Sequence, residues 1–471
     1  MKPTKKQSEK RNRLENKPGA PSLRRFSGAR VGSDEPGPTS SQLVEIEKPI
    51  YGGAFLARAE GKAVFVPLTL PGEQARVRIT QSKRGYNTAD PDEIIRAAAE
   101  RISPACPHFG ACGGCHYQHA NYESQLLFKQ TILRETLERG GVQAPDEISV
   151  LAGEPWHYRN RIRLAVDSEG SPGYRARRSN NVIPIRECPI AAPLLIESAL
   201  TFAEIARQIA PSLRPTEIAL FSNADETALM ISITTERAKK VDFEELAQAL
   251  HERIPTLRGV ELAIEGRAGQ QPRTVAQWGA TSLNYRAAGF DYRVDQGAFF
   301  QVNRWLVDAL VERVTVGSQD TIGGALAWDL FAGVGLFARQ LTQSFEHVVA
   351  VEFSPSATQA LAANLKGTAG IPVRAMTLDF LRRMRKPVRP DEARPDLIVL
   401  DPPRTGLGAE TCALLAEIAA PAVACVSCDP ATLGRDLRAL IAAGYFIHSI
   451  TLADLFPQTF HLETVVQLRR S

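Results

Sequence analysis

The stretch Asp329-Leu330-Phe331-Ala332-Gly333-Val334-Gly335 ends an apolar run that begins at Ala325, and its two glycines stand where a strand gives way to a helix. Beyond it, short apolar runs alternate with helical segments. This alternation is typical of a doubly wound, Rossmann-like α/β sheet whose strands are mostly parallel. The predicted strands cover residues 325–330, 348–352, 397–400 and 422–426.

The glycine turn predicts a nucleotide-type cofactor site, because glycines let the backbone approach a ligand closely. Gly333, Gly335 and Ala338 fit a GxGxxA pattern, and Glu352 follows seventeen residues after Gly335, at the end of the next strand. A carboxylate there accepts hydrogen bonds from ribose hydroxyls. Taken alone, the pattern fits NAD as well as an adenosyl cofactor, so an oxidoreductase is one alternative.

The ends of later strands favour methyl transfer. Asp379 follows the expected third strand, and Asp401-Pro402-Pro403-Arg404 follows the fourth. Consecutive prolines form a stiff wall suited to a flat ring, and a dehydrogenase gives no reason for such a wall beside a thiol. Phe299, Phe300 and Pro403 are candidates for a pocket that holds a base taken out of its stack.

The thiol is Cys428, in Val426-Ser427-Cys428-Asp429-Pro430, between a strand end and a helix expected over 431–440. A helix N-terminus can lower the pKa of such a thiol. Addition of a thiolate to C6 of uracil makes C5 nucleophilic, and a base must then remove the C5 proton. We interpret Cys428 as the nucleophile and Glu463 as the base, and read Cys412 and Cys425 as inert thiols.

Four further cysteines have the spacing of a metal site. Cys106, Cys112 and Cys115 lie in one Gly-rich loop, and Cys188 follows seventy-three residues after Cys115. Four thiolates close a tetrahedral zinc site or hold a [4Fe–4S] cluster. Structural zinc more often uses two CxxC pairs, and only one pair here is so spaced, which favours the cluster over zinc and over plain buried thiols.

Residues 42–100 contain short alternating strands broken by Gly and Pro, which predicts a small OB-like β-barrel. Arg76, Arg78, Lys83 and Arg84, next to Tyr86, suit phosphate contact and base stacking; the alternative is a solvated barrel rim. A second basic stretch, interleaved with Tyr158 and Tyr174, suggests another RNA-backbone face or a solvated strand face. Its arginines are Arg159, Arg161, Arg163, Arg175, Arg177 and Arg178.

Composition places the chain among ordinary globular proteins, with 44% hydrophobic and 23% charged residues over 471 positions. No apolar run reaches the ~18 residues of a membrane helix, and no apolar segment follows the basic start as in a secretory signal. A cytoplasmic protein without a membrane segment is therefore expected, and we also expect it to be a monomer. Residues 1–41 hold ten Lys/Arg and four Asp/Glu, a net of +6, and predict a disordered basic tail.

From about residue 42 onward the chain resembles bacterial RNA uracil-5 methyltransferases of the branch with a TRAM domain and an iron–sulfur cluster. Within that family it looks more like the enzymes that modify 23S ribosomal RNA than the short transfer RNA enzymes, although some relatives with the barrel modify transfer RNA. The resemblance rests on Pro71-Gly72-Glu73, Cys106 to Cys115, Tyr158-Arg159-Asn160-Arg161, Cys188-Pro189-Ile190, Ser427 to Leu433 and Phe456 to Glu463.

The resemblance implies that Cys428 is the nucleophile, that Glu463 is the base, and that the four cysteines of residues 106–188 hold a [4Fe–4S] cluster. It further implies that S-adenosylmethionine is contacted by Gln301, Phe331, Glu352 and Asp401, beside Gly333, Gly335 and Asp379. Gln301 as a helix cap and Phe331 as a core residue are the alternatives. Leu336 and Asp429 depart from the pattern, since relatives carry Asn there; Asp429 adds a negative charge that disfavours the thiolate.

We therefore predict a multi-domain chain: a tail over 1–41, an OB-like TRAM barrel over 42–101, an α+β iron–sulfur domain over 102–285, and an α/β methyltransferase domain over 286–471. A helix over 119–140 is expected to pack on the last of these. The predicted activity is formation of 5-methyluridine in 23S ribosomal RNA. The alternatives are the same chemistry on transfer RNA, an NAD-dependent iron–sulfur oxidoreductase, and a non-catalytic RNA-binding or ribosome-assembly factor.

Overall fold

The computed structural model describes residues 41–237, 243–266, 270, 272–316, 323–385 and 394–470. The expected basic tail lies outside these residues, apart from Ser41. The described residues belong to one compact unit. Among their helices, none combines the length and the apolar character needed to cross a membrane.

The first five strands form the expected small barrel, which is closed. Apolar side chains alternate inward along them, so that Ile46, Phe55 and Val64 are buried in its centre. Strand β1 closes the barrel by antiparallel pairing with β4. The strands are β1 (Ser41–Pro49), β2 (Ala54–Ala59), β3 (Lys62–Pro67), β4 (Gln74–Ser82) and β5 (Tyr86–Arg96), in the order β1-β2-β3-β5-β4.

A long helix, α1 (Tyr122–Arg139), follows the cysteine-rich loop. It begins where the side chain of Asn121 accepts a hydrogen bond from the Ser124 backbone N–H, and it ends at Gly140. Its face with Ile132, Leu133 and Leu137 is buried in the same apolar cluster as Leu433 and Leu437. Helix α1 therefore packs on the last domain although it lies early in the chain.

The middle of the chain has the mixed α and β character that its sequence indicates. Seven of its strands form one sheet in the order β13-β12-β11-β10-β7-β8-β9, while β14 and β15 form a separate hairpin. The elements are β6 (Ser149–Leu151), β7 (Arg161–Val166), β8 (Pro172–Arg175), β9 (Val182–Pro184), α2 (Pro193–Ile209), β10 (Pro215–Ser222), β11 (Leu229–Thr235), α3 (Phe243–Arg253), β12 (Leu257–Ile264), β13 (Arg273–Gly279), β14 (Ser282–Ala287) and β15 (Phe290–Asp295).

The remaining residues, together with β6, build a doubly wound sheet of eight strands in the order β18-β17-β16-β19-β20-β22-β21-β6. The five strands from β18 to β20 are parallel, and β22 runs antiparallel to its neighbours. The elements are α4 (Val307–Thr315), β16 (Gly324–Leu330), α5 (Leu336–Leu341), β17 (Phe345–Glu352), α6 (Pro355–Asn364), β18 (Gly370–Arg374), α7 (Thr377–Met384), β19 (Leu397–Leu400), α8 (Ala409–Ile418), β20 (Ala422–Ser427), α9 (Pro430–Ala442), β21 (Tyr445–Ala453) and β22 (Glu463–Arg470).

The expected boundary between residues 285 and 286 does not coincide with a break in the structure, since it falls inside β14. The hairpin of β14 and β15 buries Tyr285 and Tyr292 in the same core as the eight-stranded sheet. Strand β6 pairs with the edge strand β21 of that sheet. The central and last domains therefore interleave along the sequence. The β14–β15 hairpin and strand β6 come from the central part of the chain, but both pack or pair with the eight-stranded sheet of the last domain.

Candidate active site

The turn after β16 has the backbone of a ligand cradle. Gly333 and Gly335 have φ of 55° and 90°, and Phe331 between strand and turn has φ of 68°. A Cβ at Gly335 would lie 2.7 Å from Cδ1 of Leu361 on α6, so glycine is required both for the conformation and for the helix packing. The turn is therefore shaped to let a ligand approach its main chain.

Glu352 ends β17 beside this turn. One oxygen of its carboxylate accepts from the Gly333 N–H at 3.0 Å, and the other accepts from the N–H groups of Phe353 and Ser354 at 2.7 and 2.6 Å. These main-chain donors fix the carboxylate at the ends of two neighbouring parallel strands. The arrangement suits the binding of ribose hydroxyls.

Two carboxyl groups near the cradle, the buried Asp329 and the half-buried Asp401, have raised pKa values. Asp329, inside β16, accepts from the Ala338 N–H at 2.8 Å through Oδ2, while its buried Oδ1 has no partner. Burial, followed by the charges of Asp401 and Glu352, raises the pKa of Asp329 to about 7 against the opposing Ala338 hydrogen bond. Burial also raises the pKa of Asp401 to about 7. Asp329 is not among the site residues predicted from the sequence. An acidic residue inside an otherwise apolar strand is unusual and could have indicated a site residue.

Cys428 and Glu463 are brought together by the pairing of β20 with β22. Ser427 lies opposite Thr464 in this antiparallel ladder. The next two positions, Cys428 and Glu463, therefore lie opposite each other at the carboxyl end of β20. Cys428 is half-buried and Glu463 is buried. The two residues, 35 positions apart in sequence, therefore form one thiol–carboxylate pair.

The charges around this pair favour its neutral forms. Burial, and then the charges of Glu463 and Asp401, raise the pKa of Cys428 to about 11, while Arg404 acts in the opposite direction. Burial and Asp401 raise the pKa of Glu463 well above its ordinary value, again opposed by Arg404. Arg404 is thus the cation that stabilises negative charge on both groups.

Asp429 caps helix α9. Its carboxylate accepts from the N–H groups of Ala431 and Thr432 at 3.1 and 2.9 Å, and Pro430 occupies the first helical turn. The sequence predicts that this carboxylate disfavours the thiolate of the adjacent residue. In the fold its charge lies on the helix N-terminus, where main-chain N–H groups stabilise it.

The loop over 454–462, which leads to Glu463, is held by the buried face of α1. Nζ of Lys129 donates to Asp454 Oδ1 at 2.5 Å and to the Phe456 carbonyl at 2.9 Å. The Tyr122 hydroxyl donates to the other oxygen of Asp454 at 2.9 Å. Both ionic side chains have no exposed surface. A buried pair that is fully hydrogen-bonded fixes geometry strongly, because losing either partner leaves a charge without compensation.

The cysteine-rich loop holds the same segment from another side. The N–H groups of His116 and Tyr117 both donate to the Gln458 carbonyl, at 2.8 and 3.0 Å. Gln458 has φ of 68° and exchanges two hydrogen bonds with the side chain of Gln125. The loop that carries Cys115 is therefore joined by main-chain contacts to the loop that leads to Glu463.

The four cysteines of residues 106–188 are free thiols on the wall of one cleft of about 940 Å³. Their charges would act on one another in a closed ring: Cys106 with Cys112, Cys112 with Cys115, Cys115 with Cys188, and Cys188 with Cys106. Across the described ranges, no three His, Cys, Asp or Glu side chains are grouped as they would be around a metal ion. The same cleft reaches Arg159, Phe460 and His461.

Two of the residues predicted to contact the cofactor, Asp379 and Gln301, make polar contacts away from the glycine turn. Asp379 lies in the first turn of α7, where its exposed carboxylate pairs with Arg382 at 3.2 Å. Gln301 is buried, and its main-chain carbonyl accepts from Asn160 Nδ2 at 3.0 Å. It does not cap α4, whose first helical residue follows Leu306.

Some residues of the predicted base pocket and of the second basic stretch are buried or paired within the protein, so they are not free to contact RNA. Phe300 is a core residue, with its ring 4.5 Å from that of Tyr285, because it points inward where Phe299 points out and stays 62% exposed. Arg161 donates to the Ala298 carbonyl at 2.7 Å and stacks on Phe221. Arg178 pairs with Asp90 of the barrel at 2.6 Å.

Comparisons with known proteins agree with the architecture described above. The profile of the family described as tRNA (Uracil-5-)-methyltransferase matches residues 121–471, and the profile of the TRAM domain matches residues 39–91. The chain is 32% identical to the 23S rRNA (uracil(1939)-C(5))-methyltransferase RlmD of Chromohalobacter salexigens, over 95% of this chain and 93% of the relative. It is also 32% identical to an uncharacterized RNA methyltransferase of Streptomyces avermitilis, over 90% and 97% of the two chains.

Among solved structures, the Pyrococcus abyssi tRNA (uracil-54, C5)-methyltransferase in complex with S-adenosyl-L-homocysteine superposes with a TM-score of 0.71. The match covers 91% of this chain and 100% of that one, at 21% sequence identity, and so concerns the fold. The full-length relatives and the family profile agree with the resemblance noted from the sequence. The chain belongs to the tRNA (uracil-5-)-methyltransferase family and carries a TRAM domain.

Proposed function

We propose that this protein uses S-adenosylmethionine to methylate C5 of a uridine in 23S ribosomal RNA, with Cys428 as the nucleophile and Glu463 as the base. The observation that carries the proposal is the pairing of β20 with β22, which puts this thiol opposite this carboxylate at the carboxyl end of the sheet. Ligands of open α/β sheets bind at that end.

The proposed chemistry begins at Cys428. Its thiolate sulfur forms a bond to C6 of uracil, and the electron pair of the C5–C6 double bond moves toward C4 and its oxygen to give an enolate. The enolate C5 then attacks the sulfonium methyl group, and S-adenosylhomocysteine leaves. Glu463 removes the proton from C5, the C6–S bond breaks, and the thiolate is released.

The cradle fits the methyl donor. When bound, S-adenosylmethionine supplies an electrophilic methyl group. The left-handed glycines at 333 and 335 leave the main chain open to it, and Glu352 offers carboxylate oxygens for its ribose. Asp401 follows β19, which pairs with β16 on one side and with β20 on the other, so it lies between this cradle and the thiol–carboxylate pair. We assign the cofactor contacts to Gln301, Phe331, Gly333, Gly335, Glu352 and Asp401.

The choice of ribosomal RNA rests on the relatives that are named as 23S rRNA methyltransferases and align over nearly the whole chain. Transfer RNA is the second candidate, because the solved structure with the same fold is named a transfer RNA enzyme. The TRAM barrel, with Lys83 against the ring of Tyr86, provides a cationic and aromatic surface of the kind that binds either RNA.

We expect the purified protein to transfer tritium-labelled methyl groups from S-adenosylmethionine to unmodified 23S ribosomal RNA and not to transfer RNA. Nucleoside analysis should recover the label as 5-methyluridine. A 23S transcript in which the labelled uridine is replaced by cytidine is the control. Label in transfer RNA alone would favour the second candidate, and RNA binding without transfer to either would indicate a non-catalytic factor.

We further propose that Cys106, Cys112, Cys115 and Cys188 hold a [4Fe–4S] cluster. Four free thiols around one cleft form a donor set that suits iron and inorganic sulfide. The Gly114 N–H already points at the sulfur of Cys112, at 3.4 Å, as main-chain donors do around such clusters. When bound, the cluster would supply a cross-link between the loop at 106–115 and the segment at Cys188.

Protein purified without oxygen should therefore contain about four irons and about four sulfides per chain. Changing Cys188 to Ser should lower the iron content, whereas changing Cys412, a buried thiol of α8, to Ser should not. The measurement is iron and sulfide analysis with the visible absorption spectrum. One zinc per chain without iron would contradict the cluster.

A further inference from the structure

The turn between β1 and β2 leaves the barrel and reaches the methyltransferase domain. Its Tyr51 packs against the apolar cluster of that domain, while Phe460 from the loop before Glu463 packs against the core of the barrel. The hydroxyl of Tyr51 lies 3.5 Å from the main-chain carbonyl of Cys428, to which it donates. A side chain of the barrel is thus next to the proposed nucleophile.

Aromatic contacts hold this side chain in place. The ring of Tyr51 meets the edge of Phe460 at a centroid distance of 5.6 Å. Phe460 in turn contacts the rings of His116 and His461, at 4.6 and 4.3 Å. The pairs of Phe460 with Tyr51 and with His116 are edge-to-face, an arrangement that is favourable beyond the area that it buries. The ring is therefore oriented by residues of the cysteine-rich loop and of the loop that leads to the base.

The turn itself is shaped for close contact. Gly52 and Gly53 have φ of 104° and 84°, values that favour glycine. A Cβ at Gly53 would lie 2.7 Å from the ring of His116. On the other side, Lys48 at the end of β1 pairs with Glu135 of α1 at 2.8 Å. The barrel therefore contacts both α1 and the cysteine-rich loop with Tyr51 between them.

Several charged groups surround Cys428. Glu463 comes from β22, Asp401 and Arg404 from the segment after β19, and Asp429 from the start of α9. Tyr51 is the group that the barrel adds. Burial, followed by the neighbouring carboxylate of Asp429, raises the pKa of Tyr51 to about 12, so its hydroxyl keeps its proton and acts as a donor.

We propose that Tyr51 is a positioning residue, whose hydroxyl holds the Cys428–Asp429 turn so that the Asp429 carboxylate stays on the N-terminus of α9 and away from the thiol. The proposal rests on Cys428 being the nucleophile. It gives the barrel a part in the chemical step in addition to RNA binding. A barrel that only bound RNA would affect RNA affinity and leave the reactivity of the thiol unchanged.

The test compares Tyr51→Phe, which keeps the ring and removes the hydroxyl, with the wild-type chain. We expect kcat to fall about three- to tenfold, the range expected for one lost hydrogen bond, with KM for RNA unchanged. Without this donor we expect the Asp429 carboxylate to lie closer to the Cys428 thiol, and its negative charge then raises the pKa of that thiol. The midpoint of the pH–rate profile for adduct formation with 5-fluorouridine RNA should therefore move to higher pH.

Tyr445→Phe is the matched control. The Tyr445 hydroxyl also donates to a main-chain carbonyl, that of Ala420, at 2.9 Å, but it lies at the opposite end of β21 from the Ala453–Glu463 pair. This variant should match the wild type in kcat and in pH midpoint. Gly53→Ala, which pushes the turn away from His116, should change both quantities in the same direction as Tyr51→Phe.

The outcomes separate the two proposals. Wild-type protein that forms no adduct with 5-fluorouridine RNA would remove the proposed function itself. Wild-type adduct formation together with a Tyr51→Phe variant of unchanged kcat and pH midpoint would remove only the role of Tyr51. A Tyr51→Phe variant that raises KM at constant kcat would also count against positioning, since it would show that the hydroxyl acts in RNA binding.

Discussion

The Cys428→Ala variant should form no covalent adduct with 5-fluorouridine RNA and should lose methyl transfer by a factor on the order of 10⁴ or more, as expected when a covalent nucleophile is removed. Without the sulfur no enolate forms, and C5 of uracil is too weak a nucleophile to attack the methyl group. Fluorine at C5 makes the assay specific, because Glu463 can remove a proton from C5 and cannot remove F⁺. The adduct therefore persists after methyl transfer.

Denaturing gel electrophoresis with labelled RNA measures this adduct directly. Cys425→Ala is the appropriate control, since Cys425 is a buried thiol of β20 three residues away. It should cost some stability through the small cavity that it creates and should retain the adduct. An adduct that survives Cys428→Ala, or one lost only in Cys425→Ala, would show that the nucleophile is misassigned.

Changing Glu463 to Gln should trap the reaction one step later. The glutamine keeps the shape of the side chain and cannot accept the C5 proton, so methylated RNA should stay bonded to Cys428. Turnover should fall about 10²- to 10⁴-fold, the usual contribution of a general base. The measurement uses ordinary uridine RNA and tritium-labelled S-adenosylmethionine, and label should accumulate in the protein–RNA band.

Although turnover should fall in Glu463→Gln, the thiol of Cys428 should become more reactive in this variant. The charge of Glu463 raises the pKa of Cys428, so its removal lowers that pKa and increases the thiolate fraction near neutral pH. Alkylation of Cys428 should therefore become faster in Glu463→Gln. Glu410→Gln, at an exposed carboxylate of α8, is the control. Rapid release of product from Glu463→Gln would contradict the assignment of the base.

The sequence predicts the parts of the site that lie at the ends of regular elements. The strands predicted at 397–400 and 422–426 lie where their apolar patterns indicate, the second extended by one residue. The helix predicted over 119–140 spans Tyr122–Arg139 and is therefore shorter at both ends. Because parallel strands end at the same edge, Gly333, Glu352 and Cys428 could be placed near one another without coordinates. The closed barrel was likewise predictable from alternation and turn residues.

Contacts that depend on tertiary packing could not be predicted. Tyr51 lies 377 positions before Cys428, and nothing local indicates that a barrel turn crosses to another domain. Asp379 follows the third strand as expected, but the direction of its side chain depends on Arg382 in the next turn of α7. Phe299 and Phe300 are equivalent in sequence, and only the packing of the β14–β15 hairpin decides which of them is buried.

The ion pair of Lys129 with Asp454 has a consequence for how the chain can be divided. A fragment covering only residues 286–471 would retain Asp454 without its lysine, and would expose the apolar surface that α1 covers. Expressed alone, such a piece should aggregate, whereas co-expression with the piece that carries α1 should restore it. The catalytic unit is thus discontinuous, so deletion of the early segments is not a clean way to assign their separate roles.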